Sequence, residues 1–223
     1  MNSLKLKITA DGSSTIYNKV LDEHYHSIHG AKQESLHVFI KMGLLYFSQS
    51  NPLKREYSIL ELGFGTGLNC ILSLIHNLSS EIKIFYSTIE PYILNFKTIK
   101  NLNFNLNDDD LIFFEKIHQL NWEIQHEIHH NFFLKKFNTD FNSFKTNCLY
   151  DIIYFDAFAP RKQPHLWTIE VFEKIYNLTK KNGVLVTYCA KGQVRRDLEI
   201  VGFKVERVVG PPGKREMLRA LKI

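Results

Sequence analysis

Apolar and polar positions along the chain alternate in a way that predicts strands separated by helices from about residue 58 onward. Short runs rich in Ile, Val, Phe and Tyr are followed by stretches with the three- to four-residue apolar spacing of amphipathic helices. We predict strands at 58–62, 82–89, 133–138, 151–156, 183–189, 203–209 and 216–222. We predict helices at 67–78, 91–100, 168–179 and 192–200. Strands that alternate with helices imply a mainly parallel sheet covered on both faces.

The last two predicted strands differ from the others because no helix separates them. Gly210-Pro211-Pro212-Gly213 joins them directly, and this composition predicts a turn and an antiparallel hairpin. We therefore expect an α/β, Rossmann-like fold. Its sheet is predicted to be seven-stranded and mostly parallel, and to end in an antiparallel C-terminal hairpin.

The first fifty residues have a different character. Leu4–Thr9 and Thr15–Tyr17 flank Asp11-Gly12, which predicts a β-hairpin, and a polar, His-rich segment leads into a helix at 31–47. We divide the chain into an N-terminal extension, 1–50, and a main domain, 51–223. The stretch 101–132 is rich in Asn and His and weakly periodic, so no structure is assigned to it.

The strand at 58–62 leads into a glycine-rich loop at the start of a helix. The segment reads Glu61-Leu62-Gly63-Phe64-Gly65-Thr66-Gly67-Leu68-Asn69. Glycine lets the backbone turn tightly and approach a ligand closely, and the helix presents free N–H groups at the loop. The spacing is neither the dinucleotide fingerprint nor the P-loop, but it is typical of S-adenosylmethionine sites. We expect cofactor contacts from Glu61, Gly63, Gly65, Thr66, Gly67 and Asn69. The alternative is a tight turn without a ligand, which the destabilising effect of three glycines disfavours.

Three further acids follow predicted strands, where the ligands of such sheets bind. Glu90 ends the strand at 82–89 and is placed to accept the ribose hydroxyls of an adenosine cofactor, although alone it could be a solvated strand end. Asp140 is placed to meet the adenine amino group, although it could equally be a loop acid. Asp156 ends a fully apolar strand and precedes an aromatic residue and a proline, which is where a methyl acceptor would lie beside the sulfonium.

Composition and charge restrict the possible cellular location of the protein and the partners that it could bind. No apolar run reaches membrane-spanning length, Met1–Gly12 is too polar for a signal peptide, and the three cysteines are odd in number and widely separated. These features favour a reduced, cytoplasmic protein without a membrane partner.

The chain carries a net charge of +5, all of it within residues 191–223, which hold nine Lys/Arg against four Asp/Glu. A basic C-terminal region indicates a polyanionic partner, although a charge run is usually a solvated surface.

Several motifs together resemble the MnmC-type tRNA methyltransferases. The most specific is Asp156-Ala157-Phe158-Ala159-Pro160-Arg161-Lys162-Gln163-Pro164 with Leu166-Trp167-Thr168. The others are Glu61–Asn69, Glu23-His24-Tyr25-His26-Ser27 with Gly30-Ala31 and Glu34-Ser35, Thr187-Tyr188-Cys189-Ala190, Val194-Arg195-Arg196, Gly202-Phe203, and Gly213-Lys214-Arg215-Glu216-Met217. The resemblance covers nearly the whole chain except roughly 101–132, and it implies the class I methyltransferase fold.

The resemblance implies a specific reaction. Members of this family use S-adenosylmethionine to methylate 5-aminomethyl-uridine, often 2-thiolated, at the tRNA wobble position, and many are fused to an FAD-dependent oxidase. The 223 residues contain no second glycine-rich dinucleotide motif, so we expect methyl transfer alone, without an FAD domain. The partner is then the anticodon stem-loop of tRNA.

The reaction suggests roles for the remaining candidate residues. Asp156 is the expected catalytic group, since it can hold the amine and receive its proton. Tyr25, His26 and Glu34 are expected in a lid over the cofactor. Phe158, Pro160, Lys162, Trp167 and Tyr188 are expected at the extruded uridine, although core packing is the usual role of a single aromatic residue. Arg195, Arg196, Lys214 and Arg215 are expected at anticodon-stem phosphates.

Other interpretations stay open at this point. His24, His26, His29 and His37 invite a zinc site, but they lack partner cysteines or H-E-x-x-H spacing, so no metal is expected. Another class I methyltransferase, acting on a small amine or a protein, would keep the glycine loop and Glu90 without needing the basic tail. A spermidine-synthase-like aminopropyl transferase fits the block after Asp156 poorly. A non-catalytic RNA-binding module on this scaffold would not need intact cofactor-site acids.

Overall fold

The computed structural model describes residues 3–223, so the first two residues of the predicted extension lie outside the described part. The strands are β1 (Leu4–Ile8), β2 (Ser14–Asn18), β3 (Glu23–His24), β4 (Glu56–Leu62), β5 (Lys83–Ile89), β6 (Gln125–His129), β7 (Phe132–Phe137), β8 (Tyr150–Phe155), β9 (Thr179–Thr187), β10 (Lys204–Val209) and β11 (Glu216–Leu221). The helices are α1 (Ala31–Ser35), a π-helical segment (Leu36–Leu45), α2 (Tyr46–Ser50), α3 (Leu68–Asn77), α4 (Phe96–Ile99), α5 (Asp108–Gln119), a 3-10 turn (Pro164–Leu166), α6 (Ile169–Leu178) and α7 (Gly192–Ile200).

The larger sheet has the strand order β10-β11-β9-β8-β4-β5-β7-β6. Strands β4, β5, β7, β8 and β9 run parallel, whereas β10 and β11 form an antiparallel hairpin, as predicted. Strand β4 lies at the centre, and the chain continues from it to β5 on one side and later to β8 on the other. The carboxyl ends of β4, β5 and β8 therefore border the crevice in which ligands of such folds bind.

The predicted count of seven strands is wrong, because the sheet has eight. The additional strand, β6, comes from the stretch 101–132 to which no structure was assigned, and it pairs antiparallel with β7 at the edge. Only Ile128 of β6 is buried, so its sequence lacks the apolar run of a central strand. The same stretch contains α5, which Asn107 caps by accepting a hydrogen bond from the Asp110 N–H.

The helix predicted at 91–100 is also much shorter in the structure. Helix α4 covers only Phe96–Ile99, because Glu90 Oε1 accepts a hydrogen bond from the Tyr92 N–H and holds the residues after Pro91 in a loop. Asn95 then caps α4 by accepting from the Thr98 N–H at 2.8 Å. Residues 91–94 of this loop line a crevice in front of β5.

Helices cover both faces of the larger sheet. On one face the continuous helical run 31–50 packs with α3 and α5, and Phe39 contacts Tyr154 with ring centroids 5.1 Å apart. On the other face α6 and α7 pack, with Phe172 against Phe155 at 5.7 Å. The predicted helix at 31–47 is confirmed, but its middle is π-helical rather than α-helical.

A smaller antiparallel sheet, β1-β2-β3, lies at the carboxyl end of the larger one. The predicted hairpin forms its first two strands. Two ion pairs connect this sheet to the loop after β8: Arg161 with Glu23 at 3.1 Å and Lys162 with Asp22 at 3.3 Å. Ile16 of β2 belongs to the same buried cluster as residues of the larger sheet, so the extension and the main domain share one core. The division between residues 50 and 51 remains a prediction.

Candidate functional site

The glycine loop makes the tight turn that its sequence predicts, with its three glycines in the positive-φ region that favours glycine. The φ angles of Gly63, Gly65 and Gly67 are +94°, +50° and +73°. A Cβ on Gly63 would lie 2.8 Å from the main-chain oxygen of Asp156, and one on Gly67 would lie 2.7 Å from His118 Nε2. Only glycine fits these positions, so the loop is held close to β8 on one side and α5 on the other.

Glu90 supports the loop from the end of β5. Its Oε2 accepts a hydrogen bond from the Gly65 N–H at 2.9 Å and its Oε1 from the Tyr92 N–H at 2.8 Å. Burial raises the pKa of this carboxyl group above its ordinary value, and the two N–H donors oppose that shift. Each carboxylate oxygen has more than one acceptor site, so Glu90 can hold the loop and still accept a pair of hydroxyl groups.

Two carboxyl groups meet at the base of the crevice. Glu61 is fully buried; its Oε2 accepts from Thr88 Oγ1 at 2.8 Å and its Oε1 from Asn69 Nδ2 at 3.0 Å. The same Nδ2 donates to Asp156 Oδ2 at 2.7 Å. Burial raises the pKa of Glu61 to about 8. Burial also raises the pKa of Asp156 well above its ordinary value, and the nearby Glu61 charge adds to this effect.

The N-terminal extension forms one wall of the crevice. The ring of Tyr25 covers Gly65 and meets Phe158 edge-on, with centroids 5.0 Å apart. His26 Nε2 lies 2.7 Å from Thr66 Oγ1, and burial lowers the pKa of His26 to about 4. The imidazole is therefore neutral at pH 7, and it fixes the loop by a hydrogen bond rather than by charge.

A third group of side chains that line the crevice comes from distant parts of the chain. Lys214 Nζ pairs with Glu34 Oε1 at 2.7 Å and lies 4.1 Å from the centre of the Tyr188 ring. Glu34 Oε2 accepts from the Ser27 N–H at 2.9 Å. The Tyr188 hydroxyl donates to the Ala157 oxygen at 2.9 Å, directly after Asp156. These contacts join the N-terminal extension, β8, β9 and the C-terminal hairpin.

The crevice encloses about 1080 Å³. The predicted site residues that line it are Tyr25, His26, Glu34, Gly63, Gly65, Thr66, Asn69, Glu90, Asp140, Asp156, Phe158, Lys162, Tyr188 and Lys214. This volume is at the upper end of the range of about 300–1,000 Å³ that is usual for small-molecule sites. Adjacent residues that the sequence did not single out also line it, including Tyr92, Gln163 and His165.

Other predicted site residues do not line the crevice. Glu61 is buried beneath it and Gly67 packs against His118. Trp167, predicted at the uridine, is 7% exposed, packs on Phe155 at 4.6 Å and donates its Nε1–H to the Phe158 oxygen. The remaining ones, Pro160, Arg195, Arg196 and Arg215, lie outside it.

The two arginines of α7 have partners on their own helix. Arg195 pairs with Glu199 at 3.5 Å, and Arg196 donates to Gln193 Oε1 at 2.7 Å.

Gln163, which the sequence did not mark, accepts from the Phe158 N–H at 2.9 Å and shapes the loop after Asp156. Its position inside the D-x-F-A-P-x-x-x-P block is the signal that could have identified it.

Across residues 3–223, no cluster of three or more His, Cys, Asp or Glu side chains has the geometry to hold a metal ion. Over the same residues, none of the helices combines the length and apolarity that a bilayer crossing requires.

A family model and several curated proteins are similar to this chain. A family model described as S-adenosyl-L-methionine-dependent methyltransferase matches residues 114–223. The tRNA 5-methylaminomethyl-2-thiouridine biosynthesis bifunctional protein MnmC of Leptospira interrogans is 30% identical over 226 residues, which cover 95% of this chain and 34% of the relative. MnmC of Marinomonas sp. is 27% identical, with 90% and 31% covered. The chain thus spans about a third of the length of the curated relatives it matches.

A solved structure matches nearly the whole chain. MNMC2 from Aquifex aeolicus superimposes with a TM-score of 0.80 and 25% identity, covering 99% of this chain and 70% of that one. The fold and the glycine-loop crevice define a class I S-adenosylmethionine-dependent methyltransferase, and S-adenosylmethionine is its cofactor. Within this class, the chain is similar to the MnmC proteins over about a third of their length, as the sequence resemblance predicted.

Proposed function

We propose that this protein methylates the primary amine of 5-aminomethyl-uridine, with or without 2-thiolation, at the wobble position of tRNA. The product is 5-methylaminomethyl-uridine. The observation that carries the proposal is the position of Asp156. Asp156 lines the crevice beside the glycine loop, and its Oδ2 accepts a hydrogen bond from Asn69 Nδ2 at 2.7 Å.

The chemistry needs an uncharged amine. The amine nitrogen attacks the sulfonium methyl group in line, so that an N–C bond forms, the C–S bond breaks and S-adenosylhomocysteine leaves. The amine must lose a proton before or during attack. Asp156 accepts a hydrogen bond from the amine and takes that proton, because its raised pKa makes it a stronger base than an exposed carboxylate. Binding both reactants in one crevice supplies much of the acceleration.

The proposed substrate contacts follow from the walls of the crevice. Phe158 and Tyr188 offer ring faces or edges to an extruded uridine. Lys162 borders the crevice, while Arg195, Arg196 and Arg215 belong to the basic C-terminal region and are proposed to contact anticodon-stem phosphates. Glu90 is proposed to hold the cofactor ribose, and Asp140 the adenine amino group. A cytoplasmic location follows from this substrate.

A direct test uses tRNA whose wobble uridines stop at the aminomethyl stage. The purified protein is incubated with S-adenosylmethionine and this tRNA, and the digested nucleosides are analysed by mass spectrometry. We expect a methylaminomethyl nucleoside that is absent without enzyme or cofactor. Measurable cofactor binding with no methylated nucleoside would contradict the proposed substrate. A small amine or a protein acceptor would then be the next candidate.

A further inference from the structure

A buried amide connects the two carboxyl groups at the base of the crevice. Asn69 is 3% exposed, and its Nδ2 donates to Glu61 Oε1 at 3.0 Å and to Asp156 Oδ2 at 2.7 Å. Its Oδ1 accepts from the hydroxyl of Ser35, which is 2% exposed. A side-chain amide has two donor hydrogens. Both are used here, so Asn69 has no donor left for a cofactor.

The amide is held at both of its ends. Glu61 Oε1 and Asp156 Oδ2 fix the nitrogen end, because both of these oxygens accept hydrogen bonds from Nδ2. The Ser35 hydroxyl, at the end of α1, fixes the oxygen end. A held amide in turn fixes the carboxylate of Asp156, because rotation of that group would break the bond at Oδ2. Asp156 Oδ1 accepts no hydrogen bond from any group within residues 3–223.

We propose that Asn69, held by Ser35, is a positioning residue that aims Oδ1 of Asp156 at the incoming amine, and that it is not a ligand of the cofactor. This inference rests on the proposed methyl transfer to an amine. Asn69 occupies one oxygen of Asp156 and leaves the other for the acceptor. Neither Asn69 nor Ser35 touches the reacting atoms in this role.

The charges around Asp156 determine how the pKa of Asp156 changes when the hydrogen bond from Asn69 is lost. Glu61 on β4 and Glu34 on α1 disfavour the ionised form of Asp156, whereas Lys214 in the C-terminal hairpin favours it. Tyr188, after β9, also faces the carboxylate. The bond from Asn69 lowers the pKa of Asp156. Removing it therefore raises that pKa further, and the acidic limb of the kcat profile moves to higher pH.

The test compares Asn69→Leu and Ser35→Ala with the wild type. Leucine keeps the branched shape of the side chain without the donor, and alanine removes the hydroxyl that holds the amide. We expect kcat to fall by about 10- to 100-fold in Asn69→Leu and by a smaller factor in Ser35→Ala. The dissociation constant of S-adenosylmethionine, measured by calorimetry, should stay within about twofold of the wild-type value.

Ser73→Ala is the matched control. Ser73 is a buried serine of α3 whose hydroxyl donates to the main-chain oxygen of Asn69 at 2.8 Å and not to its amide. It should leave kcat and its pH profile unchanged. Ser35→Thr, which keeps a hydroxyl, should recover activity that Ser35→Ala loses. A weaker cofactor complex with unchanged kcat in Asn69→Leu would overturn the proposal, as would an unshifted pH profile in both variants.

A second readout separates this inference from the proposed function. The carboxyl carbon of Asp156 is followed by NMR in ¹³C-aspartate-labelled protein, with the signal assigned from Asp156→Asn. We expect it to titrate at higher pH in Ser35→Ala and Asn69→Leu than in the wild type. Identical titrations would overturn the positioning role. If the wild type methylates no tRNA, the proposed function fails while this comparison still gives its own result.

Discussion

The two halves of the crevice are built in different ways. The cofactor half consists of neighbours along the chain: the glycine loop follows β4 directly, and Glu90 ends the adjacent strand. The half proposed for the acceptor brings together Glu34, which the sequence assigns to the cofactor lid, with Tyr188 and Lys214. These residues come from an N-terminal helix, the end of β9 and the C-terminal hairpin. The backbone geometry of a local motif shapes the first half, and hydrogen bonds from His26 and Glu90 hold it in place. The second half has no such motif and depends on tertiary contacts alone. Substitutions in the two halves should therefore change different kinetic constants.

The largest effect is expected at Asp156, where the halves meet. Asp156→Asn keeps the shape and a hydrogen bond to Asn69 but cannot take the proton of the amine. We expect kcat to fall by about 10²- to 10⁴-fold, the usual contribution of a general base. Calorimetry should show S-adenosylmethionine binding close to the wild-type value. Full turnover in this variant would contradict the role of Asp156.

A substitution in the cofactor half should change binding instead. Glu90→Ala removes the acceptor of the Gly65 and Tyr92 N–H groups together with the proposed ribose contacts. We expect the dissociation constant of S-adenosylmethionine to rise by about 100-fold, since bonds to a charged group are worth about 1.5–3 kcal/mol each. The kcat at saturating cofactor should change much less. Glu127→Ala on the edge strand β6 serves as an unrelated acidic control.

The buried Glu61 links the halves and gives a pH-dependent prediction. Its folded-state pKa, about 8, lies above the ordinary value of 4.5. A carboxyl group with a raised folded-state pKa contributes stability at low pH that is lost as pH rises from 4.5 to about 8. Glu61→Gln cannot ionise, so its free energy of unfolding relative to wild type should increase over that range. Urea denaturation at pH 5 and pH 8 measures the difference, and a constant difference would contradict a raised pKa.

In the acceptor half, Lys214→Met should have a moderate effect. Methionine retains most of the length but leaves Glu34 without its cation and Asp156 without a favourable charge. We expect kcat/KM for the acceptor to fall by about tenfold, the scale of one partly exposed charged contact. The cofactor dissociation constant should be unchanged. Lys204→Met on β10 is a matched control, because it is exposed and remote from the crevice. An equal loss in both variants would indicate a general effect of charge.

The smallest effect is expected where the N-terminal sheet meets the loop after Asp156. Arg161 is exposed, and its pair with Glu23 spans 3.1 Å. Exposed ion pairs contribute about 0–1 kcal/mol, so Arg161→Ala should change kcat/KM by at most about fivefold at low salt. The difference from wild type should shrink at high salt, because screening weakens the pair in the wild type. A salt-independent difference would show that the pair is not the cause.

The same contrast explains how much the sequence could predict. The glycine loop, Glu90 and Asp156 were predictable because each adjoins a strand with a clear apolar pattern. The contact of Lys214 with Glu34 joins residues 180 positions apart, and no local pattern marks it. The sequence therefore predicts Lys214 at phosphates, whereas the structure pairs it with Glu34 inside the crevice. Trp167 was assigned to the substrate because its motif is specific, but its Nε1–H donates to a main-chain oxygen beneath the loop.

The close approach of Gly63 to the main chain of Asp156 has a consequence for which acceptors this protein can use. The Asp156 N–H donates to the Leu62 oxygen at 3.0 Å, and the Gly63 N–H donates to the Ile89 oxygen at 3.0 Å. Main-chain bonds across three strands thus set the separation between the cofactor loop and the Asp156 backbone. Side-chain replacements around the crevice can change what fills this gap but not its width. Strand pairing therefore limits how far the reacting amine of an acceptor can lie from the rest of that molecule. Changing this distance requires a change in strand pairing, and replacing side chains that line the crevice is not enough.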